Sequence, residues 1–245
     1  MTEVSSEVVA QLAPTGVLRA GINMSNFLLV VDKTASGDPI GPSPSLALAI
    51  ADAIGVPLKL VPFDTPSEVA AAAGKNIWDI GNIGAEPQRA KVMDFTAAYV
   101  EIEATYLVPA GSAIQSVDEV DKDGVRIAVS GRSAYDLYLT RSLEHAELNR
   151  ATGADATFEL FTSGNFDALA GLRPGLLGVA AKLEGSRILD GYFTTVQQAI
   201  GTPKANTEGA AFLAAFAEDA KASGMVKGLI EKHGVTGRLS VAPPA

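Results

Sequence analysis

The chain has no cysteine among its 245 residues, which excludes disulfides, thiolate catalysis and Cys-based metal sites. Histidine is almost as scarce: only His145 and His233 occur, far apart in the charged contexts SLEHAEL and LIEKHGV, and this leaves no zinc-ligand spacing. No metal and no cofactor is therefore expected. Phosphate-cradling loops are missing too, because Gly81 and Gly84 lead into neither a Gly-Lys-Ser/Thr nor a G-x-G-x-x-G pattern. There is no G-x-S-x-G elbow, and Ser133 has no histidine near it in sequence to activate it. Basic residues are the minority, 19 Lys and Arg against 28 Asp and Glu, and they form no cluster, so the net charge of -9 argues against a nucleic-acid partner. No apolar run approaches the roughly 20 residues of a membrane span. The opening MTEVSSEVVAQLAPTG is acidic and lacks a basic segment followed by an apolar core, so it does not read as a signal peptide.

What is present is the composition of a folded globular protein, 47% hydrophobic and 19% charged. The length suits one large domain or two of about 120 residues. Residues 17–23 read as a strand, 45–54 as a helix closed by Gly55, 58–63 as a strand, 66–74 as a helix and 77–80 as a third strand. Strands alternating with helices imply parallel pairing and an α/β sheet. The pattern then restarts, with strands expected at 105–109, 125–129, 157–161 and 187–189. Between them lie a short helix at 116–120, a helix from a Ser133/Asp136 capping box to about residue 148, and a helix at 165–171. A strand at 197–202, helices at 207–223 and 225–233, and a frayed tail from 239 complete the chain.

Residues 78–99, WDIGNIGAEPQRAKVMDFTAAY, are the most informative segment. A buried strand ends in small residues whose backbone a ligand can approach closely, and Arg89 follows the turn. A planar guanidinium there can grip a carboxylate through two parallel hydrogen bonds. Equally, Arg89 can be a solvated helix-end charge near Glu86 and Asp94.

The order and spacing of LRAGI (18–22), the arginine segment ending DFTAAY, VRIAV (125–129) with Ser133, FDALAG (166–171) and QQAIGTPK (197–204) resemble the type 2 periplasmic binding proteins. Within that group, the resemblance is to the polar amino-acid-binding proteins, family 3, that feed ABC transporters. It implies an α/β protein of two lobes, 1–100 with 199–245 and 101–198, joined by two hinge strands and closing around a solute in the cleft between them. It also implies a periplasmic receptor that hands a small carboxylate-bearing ligand to a membrane permease. The given chain shows no export signal, which leaves a cytoplasmic location open. Carried over, Arg89 matches the arginine that binds the ligand's carboxylate, Asn82 and Gly84 hold the same end, and Ser133 supplies a hydroxyl at a helix N-terminus. Asn23 and Phe27 of the first loop, Arg132, Glu103 and Gln198 complete the candidate set.

The departures from the family pattern bear on the ligand. Leu172 stands where an aspartate pairs with the ligand's ammonium, and Arg132 takes the place usually given to glycine. A buried ammonium without a counter-charge is costly. Either Glu101 or Glu103, on one face of a hinge strand, replaces that charge, or the ligand is a dicarboxylate or aromatic acid with no ammonium; the second is favoured. Two alternatives to a transport receptor remain. One is an enzyme resembling the cyclohexadienyl dehydratases, with Glu103 as general acid. The other is a ligand-sensing module without a transporter.

Overall fold

The structure, a computed structural model, describes residues 4–245. The first three residues, which belong to the acidic N-terminal stretch and to the first expected lobe, lie outside them. The chain divides into two compact units, Met1–Glu101 with Gln197–Ala245 and Ile102–Val196.

In unit 1, β1 (Leu18–Asn23) pairs in parallel with β4 (Leu58–Phe63) on one side and β5 (Ile80–Gly84) on the other, and β12 (Thr194–Pro203) runs antiparallel to β5. The short β6 (Met93–Phe95) pairs antiparallel with β12, placing Gly201 against Phe95. A two-residue ribbon, β2 (Asp32–Lys33) with β3 (Pro39–Ile40), leads into α2 (Pro42–Ile54). That helix starts earlier than the periodicity predicts because Pro42 occupies its first turn, and it ends as expected at a left-handed Gly55, φ 71°. Leu46, Ala47, Ile50, Ala51 and Ile54 form its buried stripe. A capping box between Thr65 and Glu68 starts α3 (Pro66–Ala71). The core of the unit centres on Trp78, 1% exposed, packed with Val69, Ile83 and Met93. Its indole N–H donates to Val69 O at 3.0 Å, which satisfies the one polar atom of a buried ring.

Unit 2 repeats this arrangement. The strand β8 (Arg126–Ser130) pairs in parallel with β9 (Glu147–Ala151) and β10 (Ala168–Leu172), and β7 (Val100–Val108) runs antiparallel to β10. Like β12 against β5, β7 closes the parallel set, while β11 (Arg187–Ile188) pairs with its far end. The repetition extends to side chains at the strand starts. In unit 1 the Arg19 N–H donates to Asp79 Oδ2 at 2.9 Å, and the guanidinium reaches both carboxylate oxygens, at 2.9 and 2.6 Å. In unit 2 the Arg126 N–H donates to Asp167 Oδ2 at 2.8 Å, but its guanidinium goes to Asn165 O and lies 4.5 Å from the Phe166 ring centre.

Three expectations of unit 2 are corrected. Residues 157–161 lie inside the helix α5 (Ala154–Ser163), whose Thr157 and Phe161, four apart, share the buried face. The aromatic and β-branched content that reads as strand is overridden by that packing. Residues 165–171, rich in helix-forming alanine, instead lead into β10, a strand buried between β7 and β8. Its small residues allow close packing: a Cβ on Gly171 would stand 3.0 Å from Leu176 Cδ2. The helix opened by Ser133, α4 (Ala134–Ser142), stops well short of residue 148. There Asp121 accepts the N–H groups of Glu144, His145 and Ala146, and the chain enters β9. Burial alone would raise the Asp121 pKa, but these three donors hold it below its ordinary value.

The remaining helices are α1 (Ser6–Leu12), α6 (Arg173–Ala180), α7 (Thr207–Ala222) and α8 (Met225–Lys232). The expected helix at 116–120 is a 3₁₀ turn, Val117–Glu119. The C-terminal tail is not frayed throughout. Ser240 and Val241 form β13, antiparallel to Glu101 and Val100, and Leu239 and Ala242 are buried.

Candidate functional site

Parallel strands gather functional groups at their carboxyl ends, where the following loops begin. In unit 1 that edge carries the ends of β1 and β5, the start of α2 and the turn that holds Arg89. Arg89 is buried, 4% exposed, and its Nη1 donates to Gly84 O at 2.7 Å. Burial lowers its pKa from the ordinary arginine value to about 10, against the attraction of Glu86. A guanidinium removed from water in this way is not the solvated helix-end charge of the alternative reading.

Asn82 is also buried, and its Nδ2 donates to Ser43 O at 3.2 Å, which ties β5 to the first turn of α2. That bond fixes the amide orientation, and Asn82 Oδ1 is left without a hydrogen-bond partner. Gln198 sits opposite Gly84 across the β5–β12 ladder, with its Oε1 equally unpartnered. The edge also holds two residues that sequence reasoning missed, Ser43 and Tyr99. Their hydroxyls lie side by side without a hydrogen bond of good geometry, and burial pushes the Tyr99 pKa upward. Tyr99 closes the DFTAAY segment and gave a signal; Ser43, between two prolines, gave none. The N-terminus of α2 is a poor anion site, since Pro42 and Pro44 have no N–H and Ser43 N donates to Leu29 O.

Asn23 and Asn26 serve their own loop. Asn23 Oδ1 accepts from Ser25 N and Oγ, and Asn26 Oδ1 accepts from Leu28 N. Phe27 between them is 43% exposed.

In unit 2 the corresponding edge brings Arg132, Ser133, Leu172 and Glu103 together with Arg173. Ser133 caps α4, its Oγ accepting from Asp136 N at 3.1 Å, and Asp136 Oδ2 accepts from Arg132 N at 2.7 Å. The expected box is thus displaced by one residue. Arg132 adopts a left-handed backbone, φ 62°, the conformation a glycine meets at no cost. Buried Asp136 also accepts from Arg150 Nε at 2.9 Å. Glu103 receives Arg173 Nε at 2.6 Å, and in unit 1 Glu101 receives Gln197 Nε2 at 2.8 Å. Leu172 packs against the apolar cluster of Ala104, Ala134 and Val196. Among the described residues no cluster of three or more His, Cys, Asp or Glu fits a metal, and no helix is long and apolar enough to cross a membrane.

Residues 18–236 match the profile of the bacterial extracellular solute-binding proteins, family 3. The chain belongs to that family. Solved structures share this solute-binding protein's fold. A mutant of ArgBP from T. maritima superposes with a TM-score of 0.73 at 20% identity, covering 93% of this chain and 99% of that one. The ancestral amino acid-binding protein AncCDT-1, a precursor of cyclohexadienyl dehydratase, gives 0.72 at 24% identity over 92% and 98%. AbpA from Streptococcus pneumoniae, bound to L-arginine, gives 0.71 at 22% over 91% and 96%. No curated protein matches this solute-binding protein's sequence. The family is described as one of solute-binding proteins.

Proposed function

We propose that this protein is the periplasmic receptor of an ABC transporter and captures a small carboxylate-bearing metabolite, an amino acid or a related organic acid. The observation that carries the proposal is Arg89, a buried guanidinium held against Gly84 with its pKa lowered to about 10. It would grip the carboxylate, with Asn82, Gly84 and Gln198 beside it in unit 1. Similar structures of an amino-acid ABC transporter's substrate-binding protein and of a Wolinella succinogenes protein complexed with lysine support the ligand class.

The charges favour an organic acid without an ammonium. Leu172 is apolar, and the two glutamates offered as replacement counter-charges are engaged, Glu101 by Gln197 and Glu103 by Arg173. Unpartnered Asn82 Oδ1 and Gln198 Oε1 are neutral acceptors, suited to a hydroxyl or N–H donor. The dehydratase reading needs Glu103 as a proton donor, whereas Arg173 commits that carboxyl as an acceptor.

A thermal-shift screen of matched amino acids and their deaminated counterparts tests this, since binding to the folded state alone raises its stability with ligand concentration. The expected result is a stabilising acid whose effect disappears in Arg89→Ala. Full affinity in that variant would overturn the clamp, and an aromatic product from prephenate or arogenate would favour the enzyme.

A further inference from the structure

Unit 2 contains a cavity of about 370 Å³ between the end of α5, the turn at 182–186 and the residues after β7. Its volume is that of a small-molecule site. It lies at the amino ends of the parallel strands, beside Phe166 just before β10, whereas Leu172 and Arg173 stand at the other end of that strand, about 20 Å away at the rise of an extended chain. The cavity is therefore separate from the carboxyl-edge residues described above.

Two phenylalanine rings, Phe161 and Phe166, line it and are themselves almost fully buried, at 6% and 7% exposure. Phe166 is held in place by the Arg126 guanidinium, 4.5 Å from its ring centre. Gly164 lines it, and Gly185 packs against its lining residue Ala110. A Cβ on Gly164 would stand 2.6 Å from the Phe166 ring, and one on Gly185, which is left-handed at φ 75°, would stand 2.9 Å from Ala110 Cβ. At the rim, Lys182 makes no ion pair among the described residues, and its ammonium lies 5.8 Å from the Phe158 ring centre. Glu184 lines the same rim, without an ion pair among the described residues. An apolar floor with an ammonium at its edge is complementary to an apolar body bearing a carboxylate. Glu184 repels a second negative charge.

We propose that this cavity is a second ligand site, which takes a small monocarboxylate with an aromatic body, its ring against Phe161 and Phe166 and its carboxylate at Lys182. The site operates independently of Arg89, and its test is made in the Arg89→Ala chain. Phenylacetate is titrated while the backbone amide signals of Ala110, Gly164 and Gly185 are followed by NMR. Saturable shifts are expected with a Kd of about 1 mM or tighter. Lys182→Met should weaken binding about three- to tenfold. Thr162→Phe, which places a ring in the cavity from the surface of α5, should abolish it. Phthalate should bind more weakly than benzoate. Absence of saturable shifts up to about 10 mM, unchanged affinity in Lys182→Met, or undiminished binding in Thr162→Phe would each overturn the assignment.

Discussion

Replacing Arg89 by methionine removes the charge but keeps most of the volume, and the structure sets the expected balance. Lowering a guanidinium from its ordinary value to about 10 disfavours its charged form by about 3 kcal/mol. That cost is already net of the attraction of Glu86, and the hydrogen bond to Gly84 O returns about 1.5–3 kcal/mol. The ligand-free variant should therefore lie within about 1 kcal/mol of the parent, while a ligand carboxylate loses its buried partner and about 2–5 kcal/mol of affinity. Trp78, the single tryptophan, is buried in unit 1, so its fluorescence during urea unfolding reports the unit that holds Arg89. Calorimetry with the best ligand from the screen gives the affinity. The sign of the pH dependence follows from the same lowering. The cost is fully present below about pH 10 and is relieved only as the folded state loses the proton above that value. The stability difference between parent and Arg89→Met should thus be flat from pH 6 to 9. A loss above about 3 kcal/mol with unchanged ligand affinity would show that Arg89 is a structural residue.

Other outcomes follow from named contacts. Gly81→Ala puts a Cβ 2.9 Å from Val69 Cγ1 in the Trp78 cluster and should cost about 1–3 kcal/mol in the urea transition. Asp79→Asn leaves the Arg19 guanidinium without its carboxylate and should cost about 3 kcal/mol. Asp167→Asn, whose aspartate binds a backbone N–H but no guanidinium among the described residues, should cost only about 1 kcal/mol by the same measurement. His233 makes a 2.8 Å hydrogen bond with Ser45, and burial, then Lys232, lowers its pKa below 6.5. The unfolded chain thus takes up that proton first, so the Trp78 midpoint should fall as pH drops through 6.5, and His233→Gln should flatten the slope.

The alternation of strands and helices was legible because each periodicity is written in residues a few positions apart. The stop at Gly55, the cap at Ser133 and the duplicated α/β pattern all belong to this class. Arg89 stood out beyond the turn that ends at Gly84, but its hydrogen bond to Gly84 O appears only in the structure. Residues 157–161 and 165–171 were misread because their local preferences point the wrong way, and contacts with distant strands decide them.

Sequence by itself determined the class of fold, the lack of thiol and phosphate-loop chemistry, and the arginine beyond the glycine turn. Only the tertiary structure decided that Asn82 is tied to Ser43 thirty-nine residues away, that Tyr99 lies beside the same serine, and that Glu103 is claimed by Arg173 seventy residues on. Propensity and periodicity act between covalent neighbours. Desolvation and ion pairing depend on what the folded chain brings within a few ångströms, so the charge state and engagement of each candidate group appear only once the strands are paired.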